Sequence, residues 1–105
     1  MIRPLMARGW LIGVMVEAPG EPVPLRHFFA VGHEDRSKAE WSAIDRALLI
    51  GRVATSPVGG LEPVHMVAEL AARTISVMAL KVGEVRSLGW RWPRRWIPLE
   101  VRSPD

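Results

Sequence analysis

The chain has 105 residues, of which 49% are hydrophobic and 24% are charged, and its formal net charge is +3. This size and composition favour one domain with a hydrophobic core, spanning residues 1–105, and exclude a disordered chain. The sequence contains no cysteine, which excludes disulfides, thiolate zinc sites and cysteine nucleophiles.

The first residues do not resemble a secretory signal, because no apolar run precedes a small-residue cleavage site. No window approaches the roughly 18 apolar residues of a membrane-spanning helix. We therefore expect a cytoplasmic protein with no membrane partner.

Two strands are predicted in the first third of the chain. Residues 10–17 carry apolar side chains at both odd and even positions, which is typical of a strand covered on both faces. The following segment, 18–24, contains three prolines and one glycine and cannot continue a strand. Residues 25–31 alternate as a second strand, and we expect the two strands to pair as an antiparallel hairpin.

A helix is predicted next, ending near Gly51. Ser37 and Glu40 have the spacing of a capping box, and Asp35 is a rival N-cap. Helical spacing of its large apolar residues predicts that one stripe faces the sheet. That stripe consists of Trp41, Ile44 and Leu48, with Ala47 beside it.

The remaining elements are predicted from shorter patterns. Residues 52–63 form a loop or contain a short strand at 53–55, and residues 64–70 alternate as a third strand. The alternative for 64–70 is a helix with Pro63 at its first position. Residues 74–81 fit a short helix with Ile75, Met78 and Ala79 facing inward. The order β-β-α-β-α predicts an α+β fold of two layers: a small, mostly antiparallel sheet with helices on one face.

A three-stranded sheet of this kind has two free edges and one poorly covered face. We expect Leu11, Met15 and Phe28 on the face away from the helices. Self-association would cover that face or an edge, so the pattern predicts a homodimer.

The excess positive charge is confined to residues 86–105. Nine basic and nine acidic residues balance in residues 1–85, whereas five arginines and two acids leave +3 in the last segment. Three of the five tryptophans also lie there. The residues that combine the two properties are Trp90, Arg91, Trp92, Arg94, Arg95 and Trp96.

Two interpretations of this basic segment remain open. In the first, the tryptophans form a lid packed on the domain, with the arginines in water. In the second, arginines neutralise phosphates and tryptophans stack on bases, so that the segment binds nucleic acid or another polyanion. Two prolines, Pro93 and Pro98, argue against an amphipathic membrane helix.

Side chains that could carry chemistry are few. The three histidines, at 27, 33 and 65, lack the spacing of a metal site, and we expect no metal, no cofactor and no assigned catalytic residue. His33, Glu34 and Asp35 follow a strand and precede a helix, a position where loops often carry function. Their alternative is a solvated turn whose acids favour the helix dipole.

The sequence thus favours a non-catalytic binding or self-assembly module. The alternative is a nucleic-acid-binding module that uses the basic segment. A small-ligand enzyme built around His33, Glu34 and Asp35 is a third hypothesis.

Overall fold

The computed structural model describes residues 8–90 of the chain. Five strands and two helices form in that range. They are β1 (Gly9–Glu17), β2 (Leu25–Val31), α1 (Arg36–Ala47), β3 (Arg52–Val53), β4 (Val64–Leu70), α2 (Ala72–Met78) and β5 (Val85–Gly89). Neither helix is long and apolar enough to cross a membrane within these residues.

The strands form one antiparallel sheet with β1 at its centre. On one side β1 pairs with β2, in a register that places Ile12 opposite Phe29, and β5 pairs with the outer edge of β2. On the other side β1 pairs with β4 along most of its length and with β3 at its end. The predicted hairpin and the predicted strand over 64–70 are confirmed, and the helical alternative for 64–70 is wrong.

The two faces of β1 build two separate parts of the core. Ile12, Val14 and Val16 pack with Phe29 and with α1 on one face. Leu11 packs on the other face, with partners from β2, β4 and α2. The α+β class is confirmed, but the helices lie on opposite faces of the sheet and not together. The physical reason is that both faces of β1 are apolar, so each needs its own cover.

Helix α1 is rotated relative to the prediction. Its buried residues are Ala39, Ala43 and Ala47, whereas Trp41 is 66% and Leu48 is 56% exposed. Three alanines one turn apart allow the helix backbone to approach the sheet closely, which larger side chains at those positions would prevent. The prediction that the Trp41 stripe faces inward is therefore wrong.

The N-terminus of α1 is capped by Asp35 and not by Ser37. The Asp35 carboxylate accepts a hydrogen bond from the backbone N–H of Lys38 at 3.1 Å. This satisfies one of the unpaired amide groups of the first turn. The prediction of Asp35 as the alternative N-cap is confirmed. Glu40 does not take part in a capping box with Ser37 but forms an i,i+4 ion pair with Arg36 at 3.1 Å.

The apolar face that motivated a homodimer is already covered within the monomer. Leu11 is fully buried, and Met15 and Phe28 are each only 5% exposed. The guanidinium of Arg26 lies 5.5 Å from the centre of the Phe28 ring and shields it from solvent. These three residues lie on the face away from α1, but the expectation that this face is free of helices is wrong, because α2 packs there against Leu11 and Phe28.

The basic segment begins as a strand, β5. Arg86 donates hydrogen bonds to the backbone carbonyls of Met78 and Ala79 at the end of α2, and it pairs with Glu84 at 2.8 Å. This arginine therefore holds β5 against α2. The tryptophans and arginines at 91, 92, 94, 95 and 96 lie outside the described residues, so the lid and the polyanion surface both stay predictions.

Candidate functional site

A cavity of about 520 Å³ opens where the chain leaves β2 and passes the end of α2. Its volume lies within the range of pockets that bind small molecules, about 300–1,000 Å³. We call it the β2–α2 cavity. The residues that line it are Arg8, Gly32, His33, Glu34, Ala72, Ile75, Ser76, Leu80 and Val82.

A close backbone contact fixes the floor of the β2–α2 cavity. Gly32 donates its N–H to the carbonyl of Glu84 at 2.9 Å and accepts a hydrogen bond from the N–H of Gly83. A Cβ atom added to Gly32 would lie 2.3 Å from the carbonyl oxygen of Lys81. Only glycine permits this approach, which brings the end of β2 against the turn that follows α2.

The end of α2 supplies the apolar part of the lining. Ala79 adopts a left-handed conformation, with φ of 53°, and ends the helix. The N–H of Leu80 then bonds back to the carbonyl of Ile75 at 3.0 Å, as in a Schellman motif. This turn directs Leu80 into the core beside Ile75, and both residues reach the cavity. The expectation that Ala79 faces inward is wrong, since it is exposed.

One ion pair and two hydrogen bonds position the polar residues at the rim of the cavity. Arg8 pairs with the Glu34 carboxylate at 3.5 Å, and the indole N–H of Trp10 donates to the Glu34 carbonyl at 3.2 Å. His33 accepts a hydrogen bond at Nδ1 from the backbone N–H of Asp35, at 3.1 Å. A neutral His33 therefore carries its proton on Nε2. That Nε2–H has no hydrogen-bond acceptor within residues 8–90.

The structure separates the three residues that the sequence singled out in this loop. His33 and Glu34 line the cavity, whereas Asp35 caps α1 and does not. Sequence reasoning missed Arg8, Ile75 and Leu80. No local pattern marks them, because they reach the cavity only through the pairing of β1 with β4 and the packing of α2.

The other predicted site lies at the far end of β5. Trp90 is 50% exposed and follows Gly89, which pairs with Phe28. The other five residues of that site, Arg91, Trp92, Arg94, Arg95 and Trp96, fall outside the described range.

His27 is a separate buried group on the α1 face of the sheet. It is 8% exposed, and neither of its ring nitrogens has a hydrogen-bond partner within residues 8–90. Burial lowers the pKa of His27 below its usual value, and the nearby charge of Glu21 opposes this shift only in part. Burial therefore favours the neutral form of His27.

No group of three or more metal-ligating side chains forms among the residues that the structure describes. The β2–α2 cavity offers instead an apolar surface beside hydrogen-bond donors. Comparison of the chain with protein-family models, curated proteins and solved structures finds no match.

Proposed function

We propose that this domain is a non-catalytic binding module and that the β2–α2 cavity is its binding site. The ligand is a small molecule with an apolar body and a hydrogen-bond-accepting head. One observation carries the proposal: Ile75, Leu80 and Val82 form an apolar lining beside the donors of His33 and Arg8. Such a combination of an apolar pocket with a few polar groups is typical of small-molecule sites.

The two donors indicate where the ligand's head binds. His33 lines the cavity, and its Nε2–H can donate to a carboxylate or carbonyl oxygen. Arg8 is ion-paired to Glu34 through one Nη at 3.5 Å, which leaves its other N–H groups for a ligand. The pairing also limits the local positive charge, so the site suits a single acceptor group better than a polyphosphate.

The hydrogen bond at His33 also favours binding over catalysis. A histidine that serves as the general base of a Ser-His-Asp triad accepts at Nε2, with its Nδ1–H held by an acceptor. His33 shows the opposite arrangement, because Nδ1 accepts from the N–H of Asp35. Ser76 shares the cavity with His33, but this tautomer cannot take its proton.

A ligand-observed NMR titration with hexanoate and hexylammonium tests the proposal. Hexanoate is expected to bind more tightly than hexylammonium, which has no acceptor for His33 and Arg8 and could pair only with Glu34, a carboxylate already ion-paired to Arg8 at 3.5 Å. Ala72→Trp places a large side chain on the exposed wall of the cavity and should abolish hexanoate binding. Val77→Trp is the matched control, because Val77 is an exposed α2 residue that does not line the cavity.

Equal binding by the Ala72→Trp and Val77→Trp variants would refute the proposed site. Equal binding of hexanoate and hexylammonium would refute the proposed head group while leaving the apolar pocket. Binding of nucleic acid through the basic segment remains an untested alternative, as does assembly into a homodimer, and no described residue favours either.

A further inference from the structure

A half-buried arginine lies over a glycine on the face of the sheet that α2 partly covers. Gly13 of β1 shares this face with Leu11, which packs with residues of α2. A Cβ atom added to Gly13 would overlap Nε of Arg26 and lie 3.2 Å from its Cζ and Nη2 atoms. The guanidinium therefore occupies the space that a side chain at residue 13 would fill. A glycine within a strand often marks a place where another group approaches the backbone closely.

The strand register places two further side chains beside this guanidinium. Gly13 lies opposite Phe28 of β2 and opposite His65 of β4. Directly opposed residues of an antiparallel pair point to the same face, and their Cβ atoms are about 5 Å apart. The Arg26 guanidinium, 5.5 Å from the centre of the Phe28 ring, therefore lies on the same face as the exposed imidazole of His65. We call Gly13, Arg26, Phe28 and His65 the Arg26 site.

Arg26 has no anionic partner within residues 8–90. Burial lowers its pKa, and no carboxylate contributes to the shift. Arg46 and Arg73 also lack an ion pair in this range, but both are exposed to water. A guanidinium has five N–H donors, and one that has already lost part of its water binds an anion more strongly than a fully hydrated one. The arginines that do pair with carboxylates are Arg8, Arg36, Arg52 and Arg86.

We propose that the Arg26 site binds a single phosphate group. The planar fork of a guanidinium donates to two oxygens of one anion. His65 lies on the same face and can donate its N–H to a third oxygen, which a phosphate has and a carboxylate lacks. Because the site holds one arginine, it fits the phosphate of a small ester better than the repeated phosphates of a nucleic acid.

The Arg26 site is separate from the β2–α2 cavity. Arg26 lies near the start of β2, whereas Gly32 directly follows its end, and a strand from 26 to 32 spans about 20 Å. The site is also separate from the basic segment, since all four of its residues lie in β1, β2 and β4. A ligand in the cavity is therefore neither required nor excluded by a phosphate at Arg26.

Heteronuclear NMR of the full-length protein, titrated with inorganic phosphate at constant ionic strength, tests the proposal. The Nε–H signal of Arg26 and the amide signal of Phe28 should shift with one dissociation constant. Acetate, which has no third oxygen, should bind more weakly than phosphate. Observing Arg26 itself separates this site from the arginines of the basic segment.

Four variants locate the binding energy. Arg26→Gln should abolish the Phe28 shift. Gly13→Ala keeps the charge but displaces the guanidinium, and it should weaken phosphate binding by about tenfold or more. His65→Val should reduce the affinity for phosphate to that for acetate. Arg46→Gln is the matched control, because it removes an exposed, unpaired arginine from α1 and should leave binding unchanged.

Circular dichroism checks that the variants fold, and Gly13→Ala should do so because its new methyl group meets only the end of a flexible side chain. The absence of a saturable shift at Arg26 would overturn the proposal. So would equal phosphate affinity in Gly13→Ala and the wild type, or an equal loss in Arg26→Gln and Arg46→Gln, since position would then not matter. Equal affinity for acetate and phosphate would exclude the third oxygen. Tighter binding of oligothymidylate than of phosphate at Arg26 would replace the small ester with a nucleic acid.

Discussion

Ala43→Leu tests the most specific packing feature of the fold, the alanine face of α1. Ala43 is fully buried between Ala39 and Ala47, against the side chains of β1 and β2. Leucine adds three carbon atoms in a space that has no room for them, and overpacking of this kind costs about 1–3 kcal/mol. For a domain of this size each kcal/mol lowers Tm by about 4–8 °C, so we expect a fall of roughly 5–20 °C.

The matched control introduces the same side chain on the opposite side of the helix. Lys38 is exposed, and lysine and leucine have similar helix propensities, so Lys38→Leu should change stability by less than about 0.5 kcal/mol. Urea denaturation followed by circular dichroism measures both variants. If Ala43→Leu is as stable as Lys38→Leu, the alanine face does not pack on the sheet and the orientation of α1 is wrong.

Three further predictions concern other parts of the fold. Leu11 is fully buried under α2, so Leu11→Ala should lower the free energy of unfolding by about 2–5 kcal/mol in urea denaturation. A loss below about 1 kcal/mol would indicate that this face of the sheet is exposed. Ala79 has a left-handed backbone conformation, with φ of 53°, at the end of α2, and glycine adopts this conformation without strain. Ala79→Gly should therefore raise the free energy of unfolding by about 0.5–1 kcal/mol. A decrease would argue against the left-handed conformation at this residue. The folded-state pKa of His27 is lowered, so the unfolded chain binds its proton more readily and stability should fall as pH drops through about 6.5. His27→Leu should flatten that fall in melts recorded from pH 8 to 5, and an unchanged slope would exclude His27 as its source.

The strands could be predicted from the sequence because their signal is local. Residues 25–31 and 64–70 alternate with period two and are bounded by prolines or turns, and the structure has strands over the same residues. The short strand β5 was missed because it lies within the basic segment, where the composition drew attention to charge. β5 pairs with β2, and no pattern within residues 85–89 predicts this long-range contact.

The orientation of α1 could not be predicted because the helix carries two apolar stripes. Trp41, Ile44 and Leu48 form the more hydrophobic stripe in the sequence. The residues that pack against the sheet are instead Ala39 and Ala43. Alanine contributes little transfer free energy by itself. It gains its role from the close approach of the helix to the sheet, which depends on the whole fold.

The candidate site was predictable in part. His33 and Glu34 follow a strand and precede a helix cap, and this local signal located one rim of the cavity. The apolar wall comes from Ile75 and Leu80, some 40 residues later in the chain. It meets the rim only because Gly32 lets β2 contact the turn after α2.

Methyl NMR of the full-length protein during a hexanoate titration tests most directly whether the β2–α2 cavity binds ligands. The account predicts that the methyl signals of Ile75, Leu80 and Val82 shift together, with one dissociation constant. The methyl signals of Ile12 and Val14, which lie in the core on the opposite face of the sheet, should stay in place. Shifts confined to Ile12 and Val14, or no saturable shift at Ile75 and Leu80, would contradict it.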